Sequence, residues 1–151
     1  ELGRVTLSAP ERLVAADVPP EWVPGMIDEV PAWAVAASAA HGISRLSGAA
    51  ELRHKESDRI ASLVRGLRAL GIEARELPDG LEITGGPPRG GRIAAAGDHR
   101  IAMAFATLAP RARGAVEIDD AASIATSYPG FLDAFSALGG RIEGVSEGAD
   151  S

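Results

Sequence analysis

The chain has 151 residues, a formal net charge of −6, no cysteine, and 46% hydrophobic but only 4% aromatic residues. That length suits one domain or two small subdomains sharing a core. The acidic balance argues against non-specific nucleic-acid binding, and the missing thiols exclude disulfides and thiolate chemistry, which fits a cytoplasmic protein.

No basic leader precedes an apolar stretch. The chain opens at Glu1 rather than Met, in a plausible strand over Gly3 to Ser8 where Val5 and Leu7 alternate with polar residues. A fragment of a longer product is expected. A proline-rich link follows, with Pro19, Pro20 and Pro24. Asp28-Glu29-Val30-Pro31 then predicts the start of a helix, with acidic residues in its first turn and a proline near its first position. Its body is small and apolar all round and should be buried. The longest nearly apolar run, Val30 to Ala40, is too short to cross a bilayer.

Gly42 ends that helix, and "ISRLSG" reads as a short strand. Next comes the charged run "HKESDRI", His54 to Ile60. Ile60, Leu63, Val64, Leu67 and Leu70 continue from it at helical spacing, and Gly71 stops the pattern at the place of a left-handed cap. "IEAREL" and "LEITG" flank Pro78-Asp79-Gly80 as a hairpin. Gly85 to Gly91, "GGPPRGG", predicts a flexible connection and a boundary.

Beyond it, "RIAAAG" predicts a strand. Asp98-His99-Arg100 opens a helix with Ile101, Phe105 and Leu108 on one face, "GAVEID" predicts a strand, and Pro129 enters a helix carrying Leu132, Phe135 and Leu138. "ALGGRIE" near the end echoes "ALGIEA" in the first half. Asp28 and Asp98 stand 70 residues apart, and Leu70 and Leu138 stand 68 apart. These echoes predict two copies of a strand–helix–strand–helix–strand unit in an α/β fold: 1–88 with a fuller hairpin, 89–146, and a tail at 147–151.

Charged residues gather at helix starts in both copies: Asp28-Glu29, Lys55-Glu56-Asp58-Arg59 and Asp98-His99-Arg100. The positive end of a helix dipole welcomes Glu56 and Asp58 but not Lys55 and Arg59, which are also an i,i+4 like-charge pair if both lie on the helix. The plain reading is that Glu56 pairs with Arg59, three residues on, and Lys55 is solvated. The functional reading is that the helix starts share one rim and bind a large anion, with Asp and Glu moving protons among the cations. A lone His99 beside two charges gives no metal-ligand set.

"MIDEVPAWAVAASA", "LRHKESDRIASLVRGLRALG", "GDHRIAMAFA" and "IATSYPGFLDAFSALGG" resemble, in order, the C-terminal part of the 5-enolpyruvylshikimate-3-phosphate synthase family, from Gly3 to about Glu143. The resemblance implies an enolpyruvyl transferase-like lobe made of βαβαββ-type repeats whose helix N-termini face a cleft. Two repeats of the second lobe would be present and the other lobe missing. The implied reaction transfers the enolpyruvyl group of phosphoenolpyruvate to the 5-hydroxyl of shikimate 3-phosphate, without a cofactor or metal.

By position in the motifs, Asp28 would bind the ring and serve the hydroxyl. Glu56 would exchange the methylene proton, and Lys55 would touch hydroxyl or phosphate. Arg59 and Arg100 would clamp phosphoenolpyruvate, with His99 lining the site. Thr126 stands where many members carry a phosphate-binding lysine, Glu51 where some place an Asn, and His54 where Val is usual. Two alternatives are a lobe of the transferase acting on UDP-N-acetylglucosamine and a non-catalytic anion-binding α/β module.

Overall fold

The computed structural model describes residues 3, 6, 8 and 10–144. Arg4, Val5 and Leu7 of the strand expected over Gly3 to Ser8, and the tail 147–151, lie outside the described residues. Among the described residues, the first strand-like stretch is Leu13 to Val18. Val14 bridges His41 in parallel, and the Ala15 and Val18 N–H groups donate to the His41 and Arg45 carbonyls, each at 2.9 Å.

The proline link is not extended. Residues Pro20–Glu29 form a 3-10 helix with a kink at Met26, started by Pro20 and anchored by buried Val23. Proline suits this role, because its fixed φ is helical and a first-turn N–H is unbonded anyway. Helix α1, Val30–Ala39, follows directly and buries Val30, Pro31, Ala34, Ala37 and Ser38, as its uniform apolarity predicts. Asp28 and Glu29 therefore precede α1, and its first turn holds no acid, contrary to expectation.

Strand β1 is Ile43–Leu46, and a 3-10 helix, Ala50–His54, leads to α2, Arg59–Ala69. Gly71 adopts φ +77° after α2, the left-handed cap read from the sequence. Strands β2, Glu73–Leu77, and β3, Gly80–Thr84, form the expected hairpin, and the sheet order is β1-β3-β2, antiparallel throughout. Gly80 pairs with Leu77, so Pro78 and Asp79 alone make the turn.

The "GGPPRGG" stretch is shorter and firmer than a flexible connection. Strand β4, Arg89–Ala94, already begins inside it, and the Gly86 and Arg89 N–H groups donate to Ser38 and Leu70 carbonyls at 3.0 and 2.7 Å. Backbone bonding to the first half overrides its glycine and proline content. Helix α3, His99–Leu108, carries the chain over to β5, Arg113–Asp119, parallel to β4. This βαβ unit matches the Leu13-to-Val18, α1, β1 arrangement of the first half.

Two short helices follow: α4, Ser123–Ser127, which the sequence did not announce, and α5, Phe131–Ala137. Helix α5 buries Phe131, which stacks on Phe135 at 5.9 Å. The expected Leu132 and Leu138 are instead 48% and 88% exposed. The helix starts two residues after Pro129, so the i,i+4 aromatic pair faces inward and the leucines turn outward. Residues 141–144 form no strand, so the second unit lacks its final strand there.

One core spans both halves. Ile60, Leu63 and Leu67 of α2 share it with Ile101, Phe105 and Leu108 of α3 and with Leu46, Leu81 and Ile83 of the sheet. The Phe105 ring lies where a Cβ on Gly66 would fall, at 2.3 Å, so only glycine allows this approach of α3 to α2. Each such buried side chain contributes roughly 1.5–3 kcal/mol. The packing brings the starts of α1, α2 and α3 together. Among the described residues, no helix is long and apolar enough to cross a membrane.

Candidate active site

Asp58 caps α2: its Oδ1 accepts from the Ala61 N–H at 3.0 Å. Asp98 caps α3 in the same way, its Oδ1 accepting from the Arg100 and Ile101 N–H groups at 3.0 and 3.4 Å. The sequence marked a helix start at each of these places, without assigning Asp58 or Asp98 as the cap. The arrangement of the side chains around them was not legible there.

Arg59, the first residue of α2, is 1% exposed and lies at the centre of the cluster. Its Nε donates to Asp98 Oδ2 at 2.8 Å, its Nη1 to Asp28 Oδ1 at 3.0 Å and its Nη2 to Glu56 Oε2 at 2.5 Å. Asp98 is 0% exposed and also accepts from Ser57 Oγ at 3.0 Å. Arg100 Nη1 donates to the Asp28 carbonyl at 3.0 Å, and its Nη2 lies 3.6 Å from Asp28 Oδ2. Three helix starts, from residues 31 to 72 apart in sequence, thus meet at one place.

The charge conflict in "HKESDRI" is resolved inside the chain. Lys55 is not on α2; it ends the preceding 3-10 helix in an extended conformation and pairs with Glu51. The expected i,i+4 repulsion between Lys55 and Arg59 along a helix therefore does not arise. Arg59 does oppose the dipole, but three carboxylates compensate it, Glu56 among them as the plain reading had it. Asp98 was missed as a partner because its signal, a helix cap, has a local explanation.

Electrostatics follow from this packing. Burial alone would push the Asp98 carboxyl up, but the Arg59 hydrogen bond and charge, with Ser57 and the Ile101 N–H, hold it below the usual carboxylate range. Burial would lower Arg59, and Asp98, Glu56 and Asp28 together raise it. Lys55 is raised chiefly by its bond to Glu51, and the Asp28 and Arg59 charges reach it as well.

The inner edge of the cluster, Asp98 with Arg59 Nε, is sealed. The outer edge is open: Asp28 and Glu56 are about half exposed and Arg100 is 36% exposed. A shallow groove runs on from it between α1 and α3, lined by Asp28, Pro31, Arg100 and Met103. His99 is half-buried next to Arg100, while Thr126 lies exposed on α4. Such an edge can take an anion against two guanidinium groups and the helix N–H ends, with carboxylates beside it. Among the described residues, no group of three or more His, Asp or Glu side chains is arranged to hold a metal ion.

Comparison with known proteins places the chain among members of one family. The family described as EPSP synthase (3-phosphoshikimate 1-carboxyvinyltransferase) matches residues 5–135. The 3-phosphoshikimate 1-carboxyvinyltransferase of Xanthomonas campestris pv. campestris (strain 8004) is 56% identical over 119 residues, 79% of this chain and 27% of that protein. Its counterpart from Xanthomonas oryzae pv. oryzae (strain PXO99A) is 48% identical over 136 residues, 90% of this chain and 31% of that protein. A solved EPSP synthase from Acinetobacter baumannii superposes with a TM-score of 0.85 at 40% identity, covering 87% of this chain and 32% of that one. The chain therefore spans less than a third of the length of these relatives.

Proposed function

The chain belongs to the EPSP synthase family, and from that premise we propose that it supplies part of the second lobe of a cytoplasmic 3-phosphoshikimate 1-carboxyvinyltransferase. In this reading residues 1–88 and 89–146 are two repeats of the lobe. Phosphoenolpyruvate, shikimate 3-phosphate and the remainder of the transferase are the partners.

The reaction is addition followed by elimination. The 5-hydroxyl oxygen bonds to the central carbon of phosphoenolpyruvate, its proton leaves to a base, and the methylene carbon gains a proton to become a methyl. A proton then leaves that methyl as the bond to phosphate breaks, which restores the enol double bond on the product. The site must therefore hold a phosphate and a carboxylate, and it must move protons at two places.

Arg100 and the outer edge of Arg59 take the anionic groups of phosphoenolpyruvate. Arg59 Nη1 and Nη2 bond Asp28 and Glu56, so an entering anion exchanges places with those carboxylates. That exchange frees Asp28 to accept the hydroxyl proton and Glu56 to serve the methylene carbon. Asp98 keeps Arg59 Nε and holds the guanidinium in place. Lys55 leaves Glu51 for the hydroxyl or phosphate, and His99 lines the wall.

The observation that carries this reading is the meeting of three helix starts at Arg59, with Arg100 against Asp28. The test is a chimera in which the matching segment of the Xanthomonas campestris transferase is replaced by this chain. It should convert shikimate 3-phosphate and leave UDP-N-acetylglucosamine untouched, and the 151-residue chain alone should convert neither. Within the chimera, Glu56→Gln should lower kcat by about 10²–10⁴-fold, the scale of general acid–base catalysis. An inactive chimera that folds and binds phosphoenolpyruvate would instead favour the non-catalytic module.

A further inference from the structure

Arg53 stands outside the residues given roles above, yet its fork reaches three elements. Its Nε donates to the Pro78 carbonyl at 2.7 Å and its Nη2 to the Leu77 carbonyl at 2.6 Å, both at the β2–β3 turn. Its Nη1 donates to Glu76 Oε1 at 2.9 Å and to Asp58 Oδ2 at 2.8 Å. The other oxygen of Asp58 is the one that caps α2. The Arg53–Asp58 pair therefore closes the segment 53–58 into a ring, and the residues it encloses include Lys55, Glu56 and Ser57.

Three of the enclosed side chains have a tether elsewhere. Lys55 bonds Glu51, Ser57 bonds Asp98, and among the described residues Glu56 is held by Arg59 alone. If an anion takes that Arg59 edge, Glu56 loses its side-chain tether. Its position is then set by the backbone of the ring, whose base is fixed to the hairpin by Arg53. We propose that Arg53 is a positioning residue that keeps the Glu56 carboxyl in reach of the reacting carbon once Arg59 has exchanged its partner for ligand. This inference rests on the reading of Glu56 as the group that serves the methylene carbon.

The geometry asks for arginine and not merely a cation. Two carbonyls and two carboxylates are met by a planar fork at fixed angles, which a lysine ammonium on a flexible stem cannot reproduce. The Arg53 guanidinium is itself raised by these partners, Glu76 first and Asp58 after it, although its burial acts the other way.

The test has two arms. In the chimera, Arg53→Met should lower kcat by about 10–100-fold with KM within threefold, because a displacement of about 1 Å at a reacting group costs that much. Arg53→Lys should recover only part of the loss. Ile83→Val, a core change in the same sheet, should lower the melting temperature without lowering kcat, which separates positioning from simple destabilisation. Unchanged kcat in folded Arg53→Met would overturn the proposal, as would a fall matched by Ile83→Val at equal melting temperature.

The second arm needs no turnover. Amide exchange of residues 54–57 in the chain should speed at least tenfold in Arg53→Met while α3 keeps its protection. If the unaltered chimera is inactive, the functional reading fails. Fast local exchange then still assigns Arg53 to the ring, and unchanged exchange removes that role too.

Discussion

Helices α2 and α3 begin with the same chemistry and use it in opposite ways. Each is capped by an aspartate with an arginine close behind: Asp58 and Arg59 in one, Asp98 and Arg100 in the other. At α2 the cap is accessible and the arginine is buried; at α3 the cap is buried and the arginine reaches the surface. The buried members, Arg59 and Asp98, find each other across 39 residues of sequence. The exposed members are left for other work, Asp58 to receive Arg53 and Arg100 to rim the open edge. A buried ion pair needs one inward charge from each partner, so two similar helix starts cannot both turn the same way.

The largest expected effect breaks the inward pair. Removing one partner of a buried pair leaves an uncompensated charge and costs about 3–5 kcal/mol, so Arg59→Gln should lower unfolding stability by that amount in denaturant titrations. Asp98→Ala should do the same. Arg100→Gln, at the surface, should change stability by no more than about 0.5 kcal/mol. Replacing both inward partners, Arg59→Met with Asp98→Leu, should recover most of the loss. Equal stability losses at Arg59 and Arg100 would erase the distinction between the two helix starts. An exposed, solvated Arg59 would instead have opposed the dipole, and its removal would have been neutral or slightly stabilising.

Next in size is the effect of the outward arginine on ligand. Arg100→Gln in the chimera should weaken phosphoenolpyruvate binding by about 1.5–3 kcal/mol, the worth of a hydrogen bond to a charged group. Titration calorimetry in the presence of shikimate 3-phosphate would read this, and unchanged affinity would return Arg100 to the category of surface charge. Glu56→Gln should move affinity the other way, since the entering anion would no longer compete with a carboxylate for Arg59.

A smaller effect separates the two caps. Asp58→Ala should cost about 1 kcal/mol, the usual worth of an N-cap, well below the loss at Asp98. The difference measures what Arg59 and Ser57 add to Asp98 beyond capping, less what Arg53 adds to Asp58.

The mildest effect is on acid stability. Asp98 titrates below its unfolded value, so its stabilisation is complete above about pH 4, the ordinary aspartate range, and is lost as pH falls through the lower folded value. Asp98→Asn should flatten the dependence of melting temperature on pH below about 4 and leave its slope near neutrality alone. An unchanged acid limb would mean that Asp98 is not held ionised by Arg59.

Local chemistry was legible before any fold. The helix start at Asp98, the stop at Gly71, the hairpin around Pro78-Asp79-Gly80 and the amphipathic face from Ile60 to Leu70 each rest on a few adjacent residues and their conformational preferences, and all recur in the structure. The motif strings that carry the family likeness are contiguous as well. The partners of Arg59, the firm seating of Arg89 on Leu70, and the turn of α5 that buries Phe131 instead of Leu132 depend on surfaces brought together from distant parts of the chain. No window of sequence contains the desolvation that makes a buried arginine require three carboxylates. Only the packing of α3 against α2 decides that Asp98 is one of them.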